Sequence, residues 1–295
     1  MITFRQALQS GKFVLTADLS TTGELSTQKF MEISRELHES VDGIQLAANP
    51  VDKHLMSPVA QAIMLQREGI DAITGLDCRD RNRIALQSDL LGLRAAGITS
   101  VMLGEGRISR QHAGSAKPVF DSSRRELVSM AQTLNEEESG GAESTFLIGT
   151  PATVFTPGPQ WSAGELGELA RAGARFLQTQ LVFDIEVLRQ YMQVLVDSRL
   201  TWSFAVIVTL APLPSASAAR RLLEYDPKAL IPDSILDRLE HADDARQEGI
   251  DICVESMQAV AEIPGISGIR LMCLEGPEPI LTAIQASGLS SEYNP

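Results

Sequence analysis

Cysteine is scarce in this chain, and Cys78, Cys253 and Cys273 lie far apart with no CxxC pair. That argues against a zinc site or a disulfide framework and predicts reduced, buried thiols at Cys253 and Cys273. Histidine is nearly as rare: His38, His54, His112 and His241 share no ligand spacing, so each reads as a surface or capping residue and no metal is expected. No apolar run approaches the roughly 20 residues that span a bilayer. The N-terminal stretch MITFRQALQSGKF lacks the apolar core of a secretory signal, so a cytoplasmic protein without a membrane partner is expected. Lys and Arg are scattered through a chain of net charge −13, which leaves no electrostatic footprint for nucleic acid. A GxGxxG that follows a strand and opens a helix is also missing. The nearest candidate, LGEGRIS at 103–109, lacks the third glycine and the helix signal, which argues against a dinucleotide domain.

What is present is regular alternation. Apolar residues make up 44% and charged residues 21% of 295 residues, enough apolar material for one large core. Strands are predicted at 13–18, 43–47, 72–76, 100–103, 145–149, 176–182, 203–210 and 268–273. Helical patterns are predicted near 27–39, 59–67, 84–96, 124–134, 164–172, 185–197, 216–224, 243–261 and 277–286. Alternating elements require crossovers and hence a parallel sheet, and eight units at this length favour a single α/β domain over 1–295, a closed (β/α)8 TIM barrel, above a Rossmann-like sheet. The stretch NEEESGGAES at 135–144 reads as a solvated acidic loop, and PATVFTPGP at 151–159 as a loop on the functional face.

In such a barrel the chemistry sits at the C-terminal strand ends. These carry Asp18, Ala47–Asn49, Asp77–Asn82, Glu105–Arg107, Thr150, Gln178–Asp184, Ala211–Ser215 and Cys273–Glu275. Asp18 suits a general acid if a shielded pocket keeps its proton near neutrality; the alternative is a carboxylate solvating a turn. Along FLQTQLVFD, strict alternation places Gln178 and Gln180 on one inward face, where primary amides can read a planar heterocycle or fill a polar layer. The knot Asp77-Cys78-Arg79-Asp80-Arg81-Asn82 is either functional or structural, with Asp80 or Asn82 capping the next helix and the arginines pairing with nearby carboxylates. In that helix Ile84, Leu86, Leu90, Leu91 and Leu93 are expected to form the sheet-packing stripe.

From about Phe13 to Leu289 the chain resembles the methylenetetrahydrofolate reductase family. The likeness rests on VDGIQLAANP at 41–50, CRDRNRIALQSDLLGLRAAGI at 78–98, KPVFD at 117–121, AGARFLQTQLVFD at 172–184, IPDSILDRLE at 231–240 and ISGIRLM at 266–272. The resemblance implies a (β/α)8 barrel that reduces 5,10-methylenetetrahydrofolate to 5-methyltetrahydrofolate, passing hydride from NAD(P)H through FAD. It places Asp18 where the family carries its catalytic glutamate and Gln180 on its pterin-binding glutamine, with Gln178 beside it. Asp77, Arg79, Asp80, Gly106 and Arg107 fall at the cofactor edge. Several replacements gather there: Ala47 for a threonine, Gly75 and Asp77 in the third strand, Gly104-Glu105-Gly106-Arg107 for Leu-Thr-Gly-Asp, and Leu169 beside Glu165 and Glu168 for a phosphate-holding base. Three readings follow. One is a reductase with an altered flavin site or direct hydride transfer from NAD(P)H. Another is a non-enzymatic folate-binding paralogue serving a partner subunit, and the third is a barrel for another reaction such as methyl transfer. A homo-oligomer is compatible with each.

Overall fold

The structure, a computed structural model, describes residues 3–19, 26–47, 56–107, 117–137, 141 and 144–289. Eight parallel strands close into one barrel in chain order: β1 (Val14–Asp18), β2 (Gly43–Leu46), β3 (Ala72–Asp77), β4 (Ser100–Gly104), β5 (Leu147–Ala152), β6 (Phe176–Leu181), β7 (Ala205–Leu210) and β8 (Ile266–Met272). The (β/α)8 expectation therefore holds. β5 runs on through Ala152, past its expected end, because its ladder to β6 continues through Pro151↔Gln178 and Ala152↔Thr179.

The helices are α1 (Phe4–Gln9), α2 (Thr27–His38), α3 (Pro58–Arg67), α4 (Arg83–Ala95), α5 (Arg124–Glu136), α6 (Gly164–Ala172), α7 (Ile185–Asp197), α8 (Ala216–Tyr225), α9 (Asp233–His241), α10 (Ala245–Ala261) and α11 (Glu278–Ser287). Side-chain oxygens start several of them by accepting first-turn N–H bonds: Ser26 for α2, Asn82 for α4, Ser123 for α5, Asp184 for α7 and Asp244 for α10. In α4 the buried stripe is Leu86, Leu90 and Leu93, at i, i+4 and i+7. Ile84 and Leu91 lie off that arc and are 75% and 41% exposed, so they do not join the stripe as expected.

Below the strands, α1 closes the barrel. Thr3 and Gln6 form a capping box, and the Asp71 carboxylate accepts the Phe4 N–H at 2.7 Å. Phe4 and Ala7 thus seat against Val14, Ile73, Met102, Leu147, Phe176 and Ile207, with the Phe4 and Phe176 rings edge to face at 5.4 Å. Gly149 leaves the room that the Phe176 ring fills, since a Cβ there would collide with it. These side chains make an apolar floor beneath the polar groups nearer the mouth.

Candidate active site

The layer above that floor is polar. Gln45 on β2 and Gln178 on β6 exchange both amide bonds, Gln45 Nε2 donating to Gln178 Oε1 at 2.8 Å and Gln178 Nε2 to Gln45 Oε1 at 2.7 Å. These strands stand opposite each other in the ring, so the pair crosses the barrel's interior. Gln178 Oε1 also accepts from Arg270 Nη1 on β8 at 3.1 Å, and the same nitrogen lies 3.3 Å from Asp18 Oδ2 on β1. Asp18 is 2% exposed, which removes the solvated-turn reading: its carboxylate belongs to the barrel interior. Burial lowers the affinity of Arg270 for its proton, and the charges of Asp18 and then Asp226 oppose that effect, so the guanidinium remains the cation of the layer. Its buried Nε–H finds no partner among the described residues, nor does the buried hydroxyl of Thr16, its register neighbour on β1.

Gln180 does something different from Gln178. The β6–β7 register shifts between Gln178 and Leu181, and the two amides make separate contacts. At the rim, Gln180 Oε1 accepts from Val154 N at 2.9 Å, while its Nε2 donates to Val154 O at 2.8 Å and to Lys228 O at 3.0 Å.

The knot after β3 resolves into its structural parts. Asn82 Oδ1 caps α4 by accepting from Ala85 N at 2.9 Å, Arg79 forks onto Asp80 at 2.6 and 2.5 Å, and Arg81 pairs with Asp89 at 2.8 Å. Asp77 lies over two glycines: a Cβ at Gly104 would collide with its Oδ1, and one at Gly106 would sit 3.2 Å from its Oδ2 and 2.6 Å from Arg79 Cβ. Gly106 also has φ +83°, which favours glycine. Burial pushes the Asp77 carboxyl up to about 6, with Arg79 opposing it. Cys78 beside it is buried and pushed up to about 12 by burial, so its thiol is a core packer rather than a nucleophile. Cys253 and Cys273 are likewise buried.

Arg107, just past β4, reaches toward the segment that follows α8. Its Nη1 lies 2.6 Å from Asp226 Oδ1, its Nη2 donates to Tyr225 O at 3.0 Å, and its guanidinium stands 4.6 Å from the Tyr225 ring centroid. Arg79 Nη1 donates back to Arg107 O at 3.0 Å, tying the two cofactor-edge arginines together. Of the other predicted positions, Thr150 is buried and its hydroxyl donates to Leu103 O at 3.1 Å, a link between β4 and β5. Ala48, Asn49, His54 and His112 lie outside the described residues. No group of three or more His, Cys, Asp or Glu suited to a metal ion occurs among the described residues, and none of their helices is long and apolar enough to cross a membrane.

A closed parallel barrel with an acid, a guanidinium and amides beneath its C-terminal mouth has the architecture of a small-molecule enzyme. The sequence profile of the methylenetetrahydrofolate reductase family matches residues 3–288, and the chain belongs to that family. A curated relative, a probable methylenetetrahydrofolate reductase (NADPH) of Caenorhabditis elegans, is 24% identical over 245 residues. The match covers 81% of this chain and 35% of the relative, so the chain spans about a third of that protein's length. Among solved structures, the crystal structure of 2,3-dimethylmalate lyase, of the PEP mutase/isocitrate lyase superfamily, superposes with a TM-score of 0.54 at 13% identity. It covers 97% of this chain and 84% of its own, a likeness of fold alone.

The family implies a flavin, and the described side chains at that edge do not fit its phosphates. Leu169 is 2% exposed and packs in the core. Four described cations there already hold carboxylates: Arg124 pairs with Glu165, Arg125 with Glu168, Arg79 with Asp80 and Arg107 with Asp226. A dinucleotide would have to break such pairs and bring its charge beside the freed acids.

Sequence reasoning missed Gln45 and Arg270. The signal for Arg270 was a lone cation in the apolar strand ISGIRLM, and for Gln45 a lone amide in GIQL.

Proposed function

We propose that this chain binds a reduced folate in the barrel mouth and reduces 5,10-methylenetetrahydrofolate to 5-methyltetrahydrofolate, with NAD(P)H delivering hydride directly. The observation that carries this reading is the buried set Asp18, Arg270, Gln178 and Gln45 in a chain of this family. Protonation at the folate N10 opens the five-membered ring and leaves an N5 iminium. Hydride from the nicotinamide then converts its methylene carbon to a methyl group. Each turnover consumes one NAD(P)H and one proton and yields 5-methyltetrahydrofolate and NAD(P)+. Asp18 is the proposed carrier of the N10 proton, its Oδ2 lying 3.3 Å from Arg270 Nη1. Once that proton has left, its carboxylate faces the cationic iminium and stabilises it. Gln178 and Gln180 are the proposed pterin contacts, Gln180 trading its bond to Lys228 O for one to the ligand.

Asp18→Ala is expected to lower kcat for folate-dependent NAD(P)H oxidation by roughly 10² or more. Unchanged turnover would remove Asp18 from the mechanism. The paired cations at the flavin edge favour a second reading, a folate-binding paralogue whose partner subunit supplies flavin. Under it the pure chain binds folate, is inactive alone and gains activity on mixing with that partner.

A further inference from the structure

The segment from Tyr225 to Leu230 is fixed at both ends and lies over part of the mouth. At its start Asp226 ends α8, its N–H donating to Leu222 O at 2.7 Å. At its end Leu230 joins the tip of β6: Leu230 N donates to Leu181 O at 2.8 Å, and Phe183 N to Leu230 O at 2.7 Å. Between these anchors the segment takes up polar groups from two sides of the mouth, Gln180 through the Lys228 carbonyl and Arg107 through Asp226 and the Tyr225 carbonyl. The Asp226 charge also reaches Arg270 inside the barrel.

How Arg107 is held matters. A guanidinium edge matches the two oxygens of one carboxylate, yet here its two Nη groups go to two different acceptors, one Asp226 oxygen and one peptide carbonyl. A carboxylate from outside can take both nitrogens at once in a parallel fork. The existing pair is also open to exchange, because the Arg107 and Asp226 side chains are 45% and 27% exposed.

We propose that Arg107 is a carboxylate subsite of the barrel mouth, filled by the chain's own Asp226 in the closed form, and that a carboxylate-bearing ligand opens the mouth by taking that place. This rests on the folate reading only for the choice of probe: the glutamyl end of a folate carries two carboxylates, and its pterin carries none.

The test is calorimetric titration of wild type, Asp226→Asn and Arg107→Gln with p-aminobenzoylglutamate, 5-methyltetrahydrofolate, a tetrahydropterin without the glutamyl end, and inorganic phosphate. Asp226→Ser replaces Asp226→Asn should the latter fail to fold. Freed of its internal competitor, Asp226→Asn is expected to bind p-aminobenzoylglutamate about fivefold or more tightly than wild type, and Arg107→Gln to bind it more weakly than either. Binding of the tetrahydropterin should be the same in Arg107→Gln as in wild type. The proposal is overturned if p-aminobenzoylglutamate binds alike to all three chains, if Asp226→Asn does not bind it, or if phosphate follows the variant pattern and the carboxylate probe does not. The two readings fail separately. If 5-methyltetrahydrofolate binds all three chains equally, the subsite is wrong and the folate reading survives; if p-aminobenzoylglutamate follows the pattern and the pterin adds no affinity, the reverse holds.

Discussion

Replacing Gln45 by Leu removes two buried amide bonds at once and leaves the Gln178 Nε2 inside the barrel without its acceptor. Two such bonds are worth about 1 kcal/mol each, and a buried orphaned donor costs about 1 to 3 more, so Gln45→Leu should destabilise by about 3 kcal/mol. Gln178→Leu also takes the acceptor of Arg270 Nη1 and should cost about 4 kcal/mol. The double variant loses the same bonds but leaves no orphaned amide, so its cost should stay near 3 kcal/mol instead of the near 7 that independent sites would give. Urea unfolding of the four proteins, read at unchanged slope, measures that coupling of about 4 kcal/mol. Additivity within about 0.5 kcal/mol would mean that the two glutamines do not act as a pair across the barrel, and the floor of the proposed site would have to be redrawn.

Asp77 makes stability depend on pH. Its carboxyl ionises near pH 4 in the unfolded chain and at about 6 in the folded one, so the folded state holds a proton the unfolded state has lost. Stability therefore falls as pH rises through that window, by about 3 kcal/mol once above it, and Asp77→Asn should gain on wild type between pH 4 and pH 7 in thermal unfolding. A difference that stays flat across that range would contradict the burial of Asp77. Asp71, also raised to about 6 chiefly by burial, acts with the same sign in both proteins and drops out of the comparison. Gly149→Ala drives a methyl into the Phe176 ring and should cost at least about 2 kcal/mol by chemical unfolding; a neutral result would refute the packing of the lower layer. With Arg79 and Arg107 paired, the purified protein should be colourless, and the absorbance of bound oxidised flavin in its visible spectrum would overturn the argument from those pairs.

The barrel was legible because each parallel strand, buried on both sides, reads as a short apolar run between amphipathic helices. Two helices escaped for local reasons. α1 has six residues, too short for helical periodicity to register, and α9 follows Pro232 in a stretch whose charges mask Ile235, Leu236 and Leu239. At the site, the roles of Arg79, Arg81 and Asn82 were readable because their partners are near in sequence. The fate of Asp18 was not, since Arg270 closes over it from the far end of the chain. Gln178 and Gln45 are 133 residues apart, and no local rule pairs them. The contacts of Gln180 with the Val154 and Lys228 backbone and the irregularity in the β6–β7 ladder leave no mark in FLQTQL.

The central claim is that this barrel reduces a folate-bound one-carbon unit without a flavin. Its most direct test is to incubate the pure, flavin-free chain anaerobically with 5,10-methylenetetrahydrofolate and NADPH or NADH and quantify 5-methyltetrahydrofolate. The account predicts 5-methyltetrahydrofolate in amounts equal to the nicotinamide oxidised, and far less of both with Asp18→Ala. Product formed only after FAD is added, or no product with either nicotinamide, would contradict it.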